Sequence, residues 1–558
     1  NRRAIISDLS PAAAFISYNY NTPINTNKFE LELRGIVEQV KKECEWLYET
    51  RHVDGRVGRI NFTVWSDVFV CPYCKNDVIF WETGVDHENG KVLDAFQCQN
   101  CKAQITKTEA NRAKFTVQDP YIGSLVERSR QVPVMINYSL GKTRYEKKPD
   151  SFDLALLERI NNSEIPFWVP IFRLPEGFNT EQPKNSHGAT HVHHFYTKRN
   201  LWVLSCLFDK LRRTNSRYLI LGLSITSSLV SLLTRYNMGH RGNGQVSGTL
   251  YIPSLVAETS VIKVVENKIR DIANMSELSK DNHAIISTQS TTSLKNIPDN
   301  SIDYVFTDPP FGGNLMYSEL NFLWEAWLKV FTNNTDEAIV NNVQKKNLEN
   351  YRELMESCFK EMYRILKPGR WITVEFHNSK ASVWNAIQDS LSHAGFVVAQ
   401  VTVLDKQQGS FKQVTSAGAV KNDLVINAYK AREGFAKRLV SQAGQGLEVD
   451  FIREHLGQLP LSANIERSKE MLYSKYLAYY VQHGYQVMYN GEQFYHALPQ
   501  WGFEERDSYW FADEAQANEY EKRKAKTFGK GGIQAQAVLF VSDERSARQW
   551  IWNFLDQP

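Results

Sequence analysis

Asp308-Pro309-Pro310-Phe311 is the segment of this chain best suited to chemistry. It follows the strand-like run 302–307 and leads into Gly312-Gly313-Asn314. A carboxylate, or the carbonyl beside it, can accept hydrogen bonds from an exocyclic amino group, and an aromatic face stacks on a planar ring. Two prolines stiffen the loop, so little ordering entropy is lost when such a ring arrives. Asp-Pro-Pro also makes an ordinary structural turn, so the surrounding elements must decide.

Metal chemistry is the second possibility. Cys71-Pro72-Tyr73-Cys74 and Cys98-Gln99-Asn100-Cys101 are two Cys-x-x-Cys knuckles with strand-like flanks. Two such knuckles complete a tetrahedron of thiolates around zinc, in the layout of a zinc ribbon over about 61–115. Four thiolates leave no open position, so the metal would be structural; a pair of redox motifs is the alternative. Cys44, Cys206 and Cys358 fall in helical patterns and read as core residues. Lys75, Lys102, Lys107, Arg112 and Lys114 near the knuckles offer contacts to phosphate or simply a solvated face. His187, His191, His193 and His194 offer either a metal site or loop and cap residues.

The elements that must position these groups follow from periodicity. Tyr351, Leu354, Cys358, Met362 and Leu366 recur at helical spacing, and Lys367-Pro368-Gly369 is expected to stop that helix. A strand over 371–376 ends at His377-Asn378; a helix over 381–394 and strands over 396–399 and 423–429 follow. Such alternation predicts a mainly parallel sheet with helices on both faces, and ligands then sit beyond the carboxyl ends of the strands. At the start, residues 3–7 form a strand ending in Asp8, where an acid commonly binds a ribose hydroxyl pair. A further strand over 284–287 leads to Thr288-Gln289-Ser290.

Taken together, these motifs resemble the bacterial adenine-specific DNA methylases, amino-methyltransferases with an Asp-Pro-Pro-Phe motif, that carry an internal zinc ribbon. The resemblance covers roughly residues 1–430. It implies an α/β fold: a Rossmann-like methyltransferase sheet with an inserted zinc ribbon and a small C-terminal α/β domain. It implies S-adenosyl-L-methionine as cofactor, structural zinc, and DNA as partner. Asp308, Pro309, Pro310 and Phe311 would be catalytic, with Asp8 on the cofactor's ribose. Phe195, Thr197 and Arg199 match an element that closes over the methionine end, and Ser290 would meet the adenine. Cys71, Cys74, Cys98 and Cys101 would hold the metal. Lys406, Phe411 and Lys412 lie in a polar loop that would support a base taken out of a duplex. Asp at the first motif position favours adenine. The alternatives are cytosine amino-methylation, an RNA or protein amide substrate, and a zinc-ribbon DNA-binding protein with an inactive core.

The family's glycine-rich cofactor turn has no counterpart before Asn1, so the reading expects a fragment cut shortly after it. The expected segments are 1–30 and 187–430 for the core, 31–186 for an insertion, and 431–558 for a C-terminal domain of unassigned role. A net charge of +3, with 42% apolar and 23% charged residues, describes a globular chain whose DNA-binding surface must be local. The most apolar stretch, 218–233, is interrupted by serines and threonines, so no membrane span is expected. Cysteine usage fits a cytoplasmic protein, in a restriction-modification or phage-defence setting with a possible partner protein.

Overall fold

A computed structural model describes residues 3–227, 229–238, 243–276, 284–313, 315–376, 381–404, 423–432, 447–482 and 488–528. The chain forms two compact units, Asn1–Gln289 with Met316–Glu337, and Ser290–Leu315 with Ala338–Pro558. These units cut across the expected segments. The strand near residue 284 pairs with the start of the chain, and the excursion 316–337 belongs to the first unit's core.

The first unit opens with β1 (Ala4–Asp8), α1 (Pro11–Asn21) and α2 (Thr26–Cys44). Ser10 caps α1 by accepting the Ala13 N–H at 3.3 Å, and Pro11 stands where a missing N–H costs nothing. α2 buries Phe29, Leu33, Ile36, Val37, Val40 and Cys44, one apolar stripe at three- and four-residue spacing. β2 (Val57–Val70) is the spine of a seven-stranded sheet. A hairpin of β3 (Lys114–Asp119) and β4 (Ser124–Ser129) follows. β5 (Gln131–Leu140) lies antiparallel to β2 and pairs outward with β6 (Thr143–Lys147), while β7 (Leu255–Thr259) flanks the other side of β2. α3 (Lys198–Thr214), α4 (Val261–Ser276) and α5 (Tyr317–Leu328) supply the helical layer. β8 (Ala284–Thr288) pairs in parallel with β1, placing Thr288 opposite Asp8.

In the second unit, β9 (Ile302–Thr307), α6 (Leu348–Ile365), β10 (Leu366–Phe376), α7 (Ala381–His393), β11 (Val397–Leu404) and β12 (Asp423–Tyr429) build a four-stranded sheet of order β9-β10-β12-β11. β9 and β10 are parallel, whereas β12 runs against both its neighbours. The sheet is therefore mixed rather than mainly parallel in its pairings. β11 and β12 are consecutive strands that pair directly, as an antiparallel ladder readily allows. α6 starts with a reciprocal Asn347–Asn350 capping box and buries Tyr351, Met355, Phe359, Met362 and Ile365. It ends at Ile365, and the expected stop signal already lies in β10, where Gly369 at φ 71° donates its N–H to Lys430 O.

The described C-terminal part is mostly helical, with one short hairpin, Glu504–Arg506 and Tyr509–Phe511. Its core, including Phe451, Leu472, Tyr476 and Phe494, is continuous with Val397, Ala399 and Tyr429 of the sheet, so it has no separate core. The expected strand at 537–541 and helix at 544–555 lie outside the described residues, as do His377 and Asn378.

Trp327 of α5 anchors the first unit's core. It is fully buried, stacks on Phe208 at 4.5 Å, and donates Nε1–H to Tyr196 Oη at 3.0 Å. Trp327→Ala should cost about 3–5 kcal/mol of stability, measured by denaturant unfolding, because a cavity and an unpaired hydroxyl are both left behind.

Candidate active site and metal centre

Asp308 leaves the end of β9 exposed, while Pro309 is buried and Pro310 and Phe311 are half-buried. Tyr351, in the first turn of α6, donates its hydroxyl to Pro310 O at 2.6 Å. The Phe311 ring meets Phe376 edge-to-face at 5.3 Å, and Phe376 is the last residue of β10. Gly312 turns at φ 66°, and its carbonyl accepts the Val340 N–H at 3.3 Å. The tetrapeptide is thus held from the strand before it, the helix and the neighbouring strand, which fixes its backbone before any ligand arrives. This rigid loop presents one outward carboxylate beside one ring.

The candidate cofactor residues of the first unit behave differently from one another. Asp8 ends β1 and accepts the Ser10 N–H on Oδ1 at 2.7 Å. Burial by its surroundings raises its pKa, against the pull of that N–H. Thr197 caps α3 by accepting the Asn200 N–H at 3.3 Å and donates its hydroxyl to Glu258. Arg199 is only 3% exposed, with Nη1 at 3.3 Å from both Glu258 Oε2 and Thr63 Oγ1. The Trp65 indole N–H also donates to Glu258 Oε2, at 2.7 Å. Where sequence reasoning offers Arg199 to a cofactor carboxylate, the structure gives it one from its own chain, on β7. Phe195 is a fully buried core residue. Ser290 accepts the Thr292 N–H at 3.2 Å and lies 2.8 Å from Thr292 Oγ1, a local serine turn. Lys406, Phe411 and Lys412 lie outside the described residues.

The four knuckle cysteines converge, with all their sulfurs within 4.8 Å of one another. The two knuckles are built alike. Cys71 and Cys98 each donate a backbone N–H across the turn, to Asn76 O and Ala103 O, both at 2.9 Å. Lys75 and Lys102 both sit at φ 61°, and their Nζ atoms reach back to Pro72 O and Gln99 O at 2.8 Å. Donors at Asn76, the backbone N–H first, lower the Cys74 thiol to about 5. A sulfur cluster of this donor set and compactness fits a zinc ion. Among the cations expected near phosphate, Arg112 pairs with Asp67 at 2.7 Å, Lys114 with Glu127 at 2.7 Å, and Lys107 lies 4.0 Å from the centre of the Phe80 ring.

A second cluster, missed in the sequence, joins Asp119 to His193 and His194. Asp119 Oδ2 accepts from His193 Nε2 at 2.8 Å and His194 Nε2 at 2.7 Å, and Oδ1 accepts the Tyr121 N–H at 2.9 Å. A metal-bound histidine donates its other ring N–H to an acceptor. Here the Thr190 N–H donates into His194 Nδ1 at 3.2 Å, which puts the proton on Nε2, facing Asp119. The cluster is therefore a hydrogen-bonded clamp between the hairpin and residues 190–194. Nothing in sequence spacing links Asp119 to the histidines.

Burial lowers the pKa of His193, and burial together with Arg128 lowers that of His194 to about 3. The unfolded chain takes up these protons near pH 6.5, so stability is complete above that pH and falls below it. The loss is at most about 1.4 kcal/mol per pH unit per histidine. Denaturant midpoints between pH 7 and pH 5 should fall less steeply in His194→Gln than in the unmodified protein.

Residues 302–552 match the family described as DNA methylase, the N6 and N4 amino-methyltransferases. The match contains the Asp308 motif and runs past residue 430 through the C-terminal helices, but includes neither Asp8 nor the cysteine knuckles. It supports a DNA methyltransferase and leaves adenine and cytosine both open, because the family covers both. No curated protein matches the chain. Among solved structures, a protein of Thermus thermophilus assigned as a DNA modification methylase, complexed with S-adenosyl-L-methionine, is 14% identical over 26% of this chain and 54% of its own, with a TM-score of 0.16. A SAM-dependent methyltransferase of Methanosarcina mazei is 12% identical over 30% of this chain and 79% of its own, with a TM-score of 0.17. The chain thus spans about half the length of the Thermus protein. Likenesses this partial carry no argument about function.

Proposed function

We propose that this chain is an S-adenosylmethionine-dependent DNA methyltransferase that modifies the exocyclic amino nitrogen of adenine. The single observation that carries the reading is the pinned Asp308–Phe311 loop, with its carboxylate outward and its ring held on Phe376, inside the segment matching DNA methylases. The cofactor, when bound, supplies an electrophilic methyl group on a sulfonium. The amino nitrogen of a nucleobase is a poor nucleophile because its lone pair is delocalised into the ring. Asp308 and the Pro309 carbonyl, accepting the two amino protons, favour the pyramidal nitrogen whose lone pair points at the methyl group. Phe311 stacks on the base and holds it in line. Tyr351 keeps the Pro310 carbonyl out of that work by occupying it.

On this reading Asp8 holds the cofactor's ribose, and the cysteine cluster holds structural zinc that stabilises the inserted ribbon. Adenine is preferred over cytosine because the motif begins with Asp. An intracellular setting in restriction-modification or phage defence fits the class; among the described residues no helix is long and apolar enough to cross a membrane.

Asp308→Ala should lower methyl transfer from labelled cofactor to DNA by on the order of 10²–10³-fold while leaving the unfolding transition in place. Digestion of the labelled product should yield N6-methyladenine; N4-methylcytosine, or label only in RNA or protein, would replace the substrate assignment. Elemental analysis should find one zinc per chain. Stripping it should expose the 61–115 region to proteolysis, and a metal-free chain with that region still protected would remove zinc from the account.

A further inference from the structure

We infer that Gln289, rather than Ser290, recognises the adenine ring of the cofactor; this rests on the methyltransferase reading. The ladder between β1 and β8 runs in register from Ala4 opposite Ala284 to Asp8 opposite Thr288. One step further, the Gln289 N–H donates to Asp8 O at 3.0 Å, so residue 289 is locked beside the acid assigned to the ribose. Neighbouring strands lie about 4.8 Å apart, which puts a base attached to that ribose within reach of a glutamine side chain on the adjacent strand.

The side chains point to an occupant. Strand alternation sends Ser287 and Gln289 to one face, with Ser7 as the register partner of Ser287. On that face Ser7 Oγ, Ser287 Oγ and Gln289 Nε2 are all buried without a hydrogen-bond partner. Buried polar atoms are rarely left this way, and three together beside a ribose-binding acid describe a polar slot that lacks its ligand's edge. A carboxamide carries both a donor and an acceptor, the pairing that meets an adenine edge: N–H to a ring nitrogen and C=O to the exocyclic amino group. Ser290 cannot serve in the same way, since its hydroxyl is spent on the turn with Thr292.

The test is equilibrium binding by calorimetry of S-adenosyl-L-homocysteine and S-inosyl-L-homocysteine, whose ring bears an oxygen in place of the amino group, to the full-length protein. The unmodified protein should prefer the adenosyl compound by about tenfold or more. Gln289→Met, close in volume but without the carboxamide, should reduce that preference to near unity, Gln289→Glu should alter it, and Ser290→Ala should keep it. Retention of the preference in Gln289→Met, or its loss in Ser290→Ala, overturns the inference alone. Binding of neither compound by the unmodified protein overturns the methyltransferase reading on which it stands. Thermal melts of each variant separate lost recognition from lost folding, and Gln289→Asn, which restores a shorter carboxamide, should recover part of the preference if Gln289→Met proves unstable.

Discussion

The parallel pairing of β1 with β8 is the constraint on which the first unit depends. It joins the start of the chain to residue 284, so the large sheet, the knuckles and the helices between them form a closed excursion that must return to one edge. Buried carboxylates do much of the fastening. Glu325 accepts the Ser10 hydroxyl at 2.6 Å and the Thr332 N–H at 2.8 Å, tying α5 to the start of α1. Glu319 accepts the Asn179 N–H at 2.8 Å, and Glu258 collects Trp65, Thr197 and Arg199. Each of these acids is offset chiefly by hydrogen-bond donors, which is what burial of a carboxylate demands.

In the second unit the corresponding constraint is stiffness. Pro309 is packed away, Pro310 is tied through its carbonyl, and Phe311 is set against Phe376, so the exposed Asp308 carboxylate projects from a loop with few remaining freedoms. Such a loop gains little from induced fit and loses little entropy on binding. The selectivity it can exert is for a flat ring that bears an amino group.

Much of this was legible from residue order. The strand over 302–307, the amphipathic helix through Tyr351 and Met362, the Thr197 cap and the convergence of the knuckles all follow from local periodicity, capping or spacing. What escaped is non-local. Arg199 finds its acid on β7, a strand identified only by its pairing with β2, and Asp119 meets His193 and His194 across a hairpin. The reversal of β12 depends on which strand it pairs with, and alternating hydrophobicity says nothing of direction. The choice between Ser290 and Gln289 turned on a hydroxyl's use in a three-residue turn, which composition does not reveal.

One junction links sulfur to the sheet. Asp67, fully buried in β2, is held to a pKa of about 2 even against burial by His187, Arg112 and Gln131; Arg112 belongs to the short strand paired with Phe69 and Val70, immediately before Cys71. Chelation that frays this strand would withdraw a guanidinium from a carboxylate with no access to water. The protein would then register metal starvation as a change in proton affinity several residues from the nearest thiolate, and His187 is the group placed to answer it.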